Sequence, residues 1–115
     1  MKFSKDGFYI EKKNDQYTIG LSDKGQDDFG EIGFVNLATE DTLTTDTVLV
    51  SIEASKAVSS LASPLAGKVV AYNEALEDNP EDLNSSDQDK NWIAVLTDVS
   101  EADYEKLEDK SGLEE

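Results

Sequence analysis

Thr47-Val48-Leu49-Val50-Ser51-Ile52-Glu53-Ala54-Ser55-Lys56-Ala57-Val58-Ser59-Ser60-Leu61-Ala62 is the stretch whose reading decides the fold. Residues 47–52 and 58–62 are apolar and β-branched enough to read as two strands, and Ser63-Pro64 ends the second. The break between them places Lys56 at a hairpin tip, with the small residues Ala54, Ser55 and Ala57 around it and Glu53 three positions earlier. A strand interior would hold an ammonium against the sheet, whereas a turn projects it into solvent where another protein's active site can close around it. An exposed lysine by itself is ordinarily just solvated. Set between two strand patterns with small neighbours, Lys56 reads as a site of covalent modification, and Glu53 as the charge a modifying enzyme recognises.

Outward from this hairpin the same punctuation recurs. Residues 8–13 and 16–21 flank Asn14-Asp15, a pair that tolerates positive φ and predicts a tight turn. Ser22-Asp23 offers a cap, Gln26 lies three residues beyond Asp23, and Gly30 follows Phe29, so a short helix is expected there. Strand character returns at 32–37, a polar connection spans 38–46, and residues 68–72 form a further strand. Residues 73–91 are polar and acidic, with Leu76 and Leu83 as isolated apolar anchors and Asn79-Pro80 as a break, which predicts a loop with one or two helical turns. Residues 92–97 form the last strand. Ser100 then caps a terminal helix, with Asp103 as its partner, Val99 and Tyr104 as a hydrophobic staple and Gly112 as the stop. Short strands with one peripheral helix predict a mainly β fold, a small β sandwich or flattened barrel.

Composition restricts the chemistry. The 115 residues are enough for one domain with one modest core, so 1–115 reads as a single domain in which 99–115 supply a C-terminal helix and acidic tail. Acidic residues outnumber basic ones 26 to 10, giving a formal net charge of -16. Nucleic acid is therefore an unsuitable partner, and a basic protein surface a suitable one. Histidine and cysteine are both absent. The chain thus has no imidazole base, no thiolate nucleophile, no disulfide and no His/Cys metal site, and catalysis of its own is not expected. The N-terminal residues lack the apolar core of a secretory signal and no stretch is long enough to cross a bilayer, which points away from membranes and to the cytoplasm.

Other motifs carry less. Asp87, Asp89 and Asn91 imitate the opening of a calcium loop, but Trp92 stands where that loop needs glycine and no closing glutamate follows, so a solvated loop is the reading. Asn84-Ser85-Ser86 matches a glycosylation acceptor, a signal without meaning in a cytosolic chain. The Glu77-Asp78 pair reads as a solvated acidic rim.

With these segments in place, the chain resembles lipoyl carrier domains, and more closely the H protein family of the glycine cleavage system. The family's attachment segment runs close to Glu-Ser-Val-Lys-Ala, against Glu53-Ala54-Ser55-Lys56-Ala57 here. Tyr17-Thr18-Ile19-Gly20-Leu21-Ser22-Asp23, Gly30-Glu31-Ile32-Gly33-Phe34-Val35, Ser63-Pro64-Leu65-Ala66-Gly67 and Asn73-Glu74-Ala75-Leu76-Glu77-Asp78-Asn79-Pro80 resemble family segments in the same order. Two places depart from it. Gly7-Phe8-Tyr9 stands where H proteins commonly carry His-Glu-Trp, and Asp87-Gln88-Asp89-Lys90-Asn91 where a Pro-Tyr-Gly segment precedes the tryptophan.

The resemblance implies a lipoyl/biotinyl-type sandwich and a non-catalytic carrier bearing lipoate on Lys56. It implies attachment by a lipoate ligase or a lipoyl/octanoyl transferase, because a free acid does not acylate an ammonium and a partner must activate it. It further implies that the arm takes an aminomethyl group from glycine decarboxylase, delivers it to the aminomethyltransferase, and is reoxidised by dihydrolipoyl dehydrogenase. The departures keep a second class open, an H-like lipoylated protein of lipoate relay or redox-linked ADP-ribosylation signalling. An unmodified acidic binding domain is the reading left if Lys56 is incidental.

Overall fold

Asn14 adopts a left-handed φ of 58°, closing the turn that its sequence predicts. The computed structural model describes residues 1–113. Its elements run β1 (Lys2–Phe3), β2 (Phe8–Lys13), β3 (Gln16–Leu21), α1 (Asp23–Phe29), β4 (Ile32–Leu37), β5 (Thr42–Leu43), β6 (Val48–Ala54), β7 (Val58–Ala62) and β8 (Gly67–Tyr72). There follow α2 (Ala75–Asp78), a 3-10 turn (Pro80–Asn84), α3 (Gln88–Asn91), β9 (Trp92–Thr97) and α4 (Glu101–Glu105).

The strands form two antiparallel sheets, one of six strands in the order β1-β2-β3-β9-β8-β5 and one of three in the order β4-β6-β7. Alternation decides which side chains enter the core: Tyr17, Ile19 and Leu21 point inward from β3, Val35 and Leu37 from β4. Ile10, Ile19 and Leu96 of the larger sheet join Val35, Val50 and Ile52 of the smaller one in a single apolar cluster, the expected mainly β sandwich. Burying each such side chain contributes about 1.5–3 kcal/mol. Leu76 and Leu83 are fully buried, so the two anchors in the polar stretch fasten α2 and the 3-10 turn against that core.

Several elements differ from expectation. The polar connection contains β5, a two-residue strand paired with β8, and Lys2–Phe3 pairs with Tyr9 and Ile10 as β1. Strand β9, last in sequence, is internal in its sheet between β3 and β8. The polar stretch holds three helical turns, and Asn79-Pro80 separates the first from the second. The terminal helix begins at its predicted cap, where Ser100 Oγ accepts from the Asp103 N–H, but ends at Glu105. Glu108 instead pairs through its backbone with Phe3, and Ala102 is exposed. Tyr104 alone supplies a buried face, edge-on to Tyr17 with ring centroids 5.3 Å apart. One apolar contact cannot sustain more than a turn or two. The end of the acidic tail, residues 114–115, lies outside the described residues.

Candidate functional site

The β6–β7 turn is closed by the Ala54 N–H donating to the Ala57 carbonyl at 2.9 Å, leaving Ser55 and Lys56 exposed at the tip. This tip does not stand alone. The Ser55 N–H donates to the Glu31 carbonyl and the Lys56 N–H to the Phe29 carbonyl, both at 2.9 Å, while the Glu31 N–H donates to Ser55 Oγ at 3.0 Å. Lys56 Nζ donates to the Asp27 carbonyl at 3.1 Å. The hairpin therefore seats on the C-terminal end of α1, where helix carbonyls lack intrahelical donors and a cation is favoured.

Gly30 makes the seat possible. Its φ of 74° and ψ of -145° lie in a region that essentially only glycine occupies. A Cβ there would stand 2.6 Å from Ser55 Oγ and 3.1 Å from Lys56 Cγ. Sequence reading assigns Gly30 only the end of a helix; its second role depends on a hairpin 25 residues away and has no local signal. Asn84 holds the same segment from the other side, accepting from the Ile32 N–H at 2.9 Å and donating from Nδ2 to the Gly30 carbonyl at 2.7 Å. Read in sequence as an idle glycosylation motif, Asn84 was detectable only as a polar residue directly following the apolar anchor Leu83.

Gln26 likewise does something other than capping. Ser22 Oγ caps α1 by accepting from the Gly25 N–H at 3.2 Å, but Gln26 Nε2 reaches outward to the Leu83 and Ser85 carbonyls at 2.8 and 2.7 Å. The Ser85 carbonyl also accepts from Asn91 Nδ2 at 2.8 Å, and Asn91 Oδ1 accepts from the Tyr9 hydroxyl at 2.8 Å. A hydrogen-bonded path thus runs from α1, on which the lysine hairpin sits, to the Tyr9–Asn91 corner. That corner unites the two sequence departures noted above. The segment 87–91, expected as a solvated loop, holds α3 with Asp87 as its cap, accepting from the Asp89 N–H, and Asn91 is buried. Burial, with the Glu11 and Asp89 charges, pushes the Tyr9 hydroxyl far above its ordinary range, so it stays the donor to Asn91 well into alkaline pH. Gly20 lets the Tyr9 ring lie flat, since a Cβ would fall 2.3 Å from the ring.

Glu53 is exposed on β6 directly opposite Val58 of β7 and Phe34 of β4. It forms no ion pair among the described residues. Among those residues no cluster of three or more Asp or Glu could hold a metal ion, and no helix is long and apolar enough to cross a membrane. What the site offers chemically is one primary amine on a rigid turn, accessible from outside.

The sequence matches the Glycine cleavage H-protein family over residues 1–115. A "Glycine cleavage system H protein" of Listeria innocua is 45% identical over 100 residues, covering 86% of this chain and 80% of that protein. One from Listeria monocytogenes is 44% identical over 114 residues (93% and 91%), and one from Staphylococcus epidermidis 36% identical over 107 residues (92% and 85%). In fold the chain is similar to the crystal structure of a glycine cleavage system H protein from Mycobacterium marinum, with a TM-score of 0.72 over 84% of this chain and 81% of that one, at 21% identity.

Proposed function

The chain belongs to the glycine cleavage H-protein family, a carrier of the glycine cleavage system and not itself a catalyst, and on that premise we propose that Lys56 bears its lipoyl group in amide linkage. The observation that supports this is the seated hairpin: one exposed primary amine at a turn tied to α1 and Glu31 by three hydrogen bonds, two from its backbone and one through Ser55 Oγ. Rigid presentation lowers the entropy an enzyme must remove to bring the amine into its active site. Small side chains at Ala54, Ser55 and Ala57 leave room around Nζ for that approach. The residues fit the group, because acylated Nζ keeps one N–H, and its present contact, the Asp27 carbonyl, needs only one donor.

When bound, the lipoyl dithiolane supplies the sulfur chemistry that accepts and passes on the aminomethyl group of glycine, which a chain without cysteine cannot supply. The partners of this reading are a lipoate ligase or lipoyl/octanoyl transferase, glycine decarboxylase, the aminomethyltransferase and dihydrolipoyl dehydrogenase, all in the cytoplasm. Glu53 orients the attaching enzyme. A net charge of -16 draws basic docking surfaces, so encounter rates fall as salt rises.

Incubation of the chain with lipoate ligase, ATP and lipoate is expected to add one lipoyl mass, mapped by peptide analysis to Lys56 and absent from Lys56→Ala. The loaded protein then supports glycine-dependent carbon dioxide exchange with its cognate decarboxylase in a salt-sensitive manner. Label on another lysine removes Lys56 from the reading. No exchange from verified lipoylated protein, with active decarboxylase, transfers the chain to the lipoate relay or signalling class and leaves Lys56 in place.

A further inference from the structure

Gly33 is the extra residue of a bulge in β4, where the register shifts between Ile32, opposite Ala54, and Phe34, opposite Glu53. Strict alternation from buried Ile32 would send Phe34 into the core; the bulge turns it out, and its side chain is 49% exposed. On the other flank of β6, Val58 pairs with Glu53 and is 73% exposed. Directly opposed residues of adjacent antiparallel strands share a face. Phe34, Glu53 and Val58 therefore form one row across all three strands, apolar, acidic, apolar, at the end of the sheet that carries Lys56. The next row toward the sheet's middle, Asn36, Ser51 and Ser60, is small and polar, with the two serine hydroxyls 2.9 Å apart. Val48, also exposed, sits at the far end of β6. Beside the lysine, then, the outer face exposes its one large ring and a bare carboxylate between two apolar groups.

We infer that the row Phe34, Glu53, Val58 is the docking surface for the enzyme that acylates Lys56, and that the enzyme meets it with apolar side chains flanking a lysine or arginine. This rests on Lys56 as the attachment site. Of the partners in that reading, the acylating enzyme is the one that must bring its reacting atom to Nζ itself and so must lie against the turn and its flanking strands; a protein that works on the distal end of an attached arm can sit farther off. Glu53 supplies the charge complementarity, and the apolar neighbours exclude water from the contact it makes, which concentrates binding energy at the centre of an interface.

The test uses the complete unmodified chain with lipoate ligase, ATP and lipoate, following initial rate against carrier concentration. Phe34→Thr and Val58→Thr place a β-branched, strand-favouring side chain at exposed strand positions and so keep the fold. Phe34→Thr is expected to raise KM for the carrier about tenfold, Val58→Thr several-fold, with kcat within about twofold of the parent. A Lys56→Ala chain, which cannot be acylated, should compete for the ligase, and adding Phe34→Thr to it should raise its inhibition constant by the same factor. Parent and variants with equal constants in both assays, while label maps to Lys56, overturn the docking surface and leave the attachment site standing. Label elsewhere in the parent overturns the Lys56 reading itself. Unchanged lipoylation with reduced glycine-dependent exchange assigns the row to the decarboxylase and overturns the occupant named here. Should a threonine variant lose its melting transition, Glu53→Lys on an intact fold must raise KM, or the proposal fails.

Discussion

The lysine hairpin and the Tyr9–Asn91 corner are joined through Gln26 and Ser85, yet they are built in opposite ways. At the hairpin the fastening is done mainly by backbone groups, to which Ser55 Oγ and Lys56 Nζ add one bond each, and it needs the absence of a Cβ at Gly30. At the corner it is done by two side chains, the Tyr9 hydroxyl and the Asn91 amide, in a buried setting. A seat made largely of backbone tolerates change at most of its side chains and is intolerant of added volume. A corner made of side chains tolerates change only when both partners change together, because a buried polar group left alone is expensive. The two departures from the usual H-protein segments, at 7–9 and 87–91, both lie at the corner and there complete one another's hydrogen bonds. Residues 53–57 and the Gly30–Val35 stretch, which meet at the seat, resemble the family's own segments.

Removing atoms from the corner tests this contrast most severely. Asn91→Ala strands the Tyr9 hydroxyl and takes one of two side-chain donors from the Ser85 carbonyl, an expected loss of about 3 kcal/mol in denaturant unfolding. Tyr9→Phe alone is expected to cost about 1–2 kcal/mol, and the double variant less than the sum, with a coupling of about 1 kcal/mol. Acylation of Lys56, measured below the melting transition, is expected to stay at the parent rate. Additive losses would break the comparison by showing that the corner is not a unit.

Adding one carbon to the seat is the converse experiment. Gly30→Ala is expected to cost about 2 kcal/mol through backbone strain at positive φ, and the new Cβ displaces Ser55 and Lys56. Here the acylation rate should fall several-fold at temperatures where the chain is fully folded. A variant destabilised to that extent but acylated at the parent rate would show that the seat serves stability alone.

This division also explains what the sequence made legible. The Asn14-Asp15 hairpin, the Ser22 cap, the strands around Lys56 and the exposed tip follow from local pattern, since turn chemistry and alternation act within a few residues. Strands β1 and β5 have two residues each and exist because Ile10 and Lys68 lie beside them, a pairing that no periodicity in residues 2–3 or 42–43 encodes. The interior position of β9, the clamp of Asn84 on Gly30 and the bond from Tyr9 to Asn91 are likewise long-range. Local signal located the amine; it carried nothing of what supports it. The terminal helix shows the same limit from the other side, with a sound cap at Ser100 and too little apolar face to continue past Glu105.

Glu53 probes the hairpin without touching its seat. It is exposed and lies outside the hydrogen bonds that hold Ser55 and Lys56. Glu53→Gln is expected to leave the melting temperature within about a degree, as surface charges contribute little, and to slow acylation of Lys56 by several-fold. Equal acylation rates for the two proteins would remove Glu53 from the recognition site.

The smallest effect belongs to the edge that neither region uses. Lys12 of β2 pairs with Glu101 of α4, and Lys2 of β1 with Asp109 at 2.8 Å and Glu105 at 4.0 Å, so three ion pairs from two lysines hold the C-terminal segment to the larger sheet. Hydrogen bonding to Lys12 lowers the Glu101 carboxyl below its usual range, and the same contact raises Lys12. A carboxyl depressed in the folded state lends stability above its unfolded pKa, near 4.5, and loses it as pH falls through the lower folded value. The ammonium, raised from 10.5, lends stability below that value and loses it as pH rises through the higher folded one. One pair therefore contributes at both limits, and its contribution persists across the neutral range. In Glu101→Gln the acid and alkaline losses assigned to this pair should both disappear when melting is followed against pH, and the remaining shifts should shrink in high salt. Acylation of Lys56 in Glu101→Gln is expected to match the parent at every pH where both are folded. A changed acylation rate would mean that the C-terminal segment reaches the lysine seat through the sheet, and the separation of the site from its scaffold would have to be redrawn to include α4.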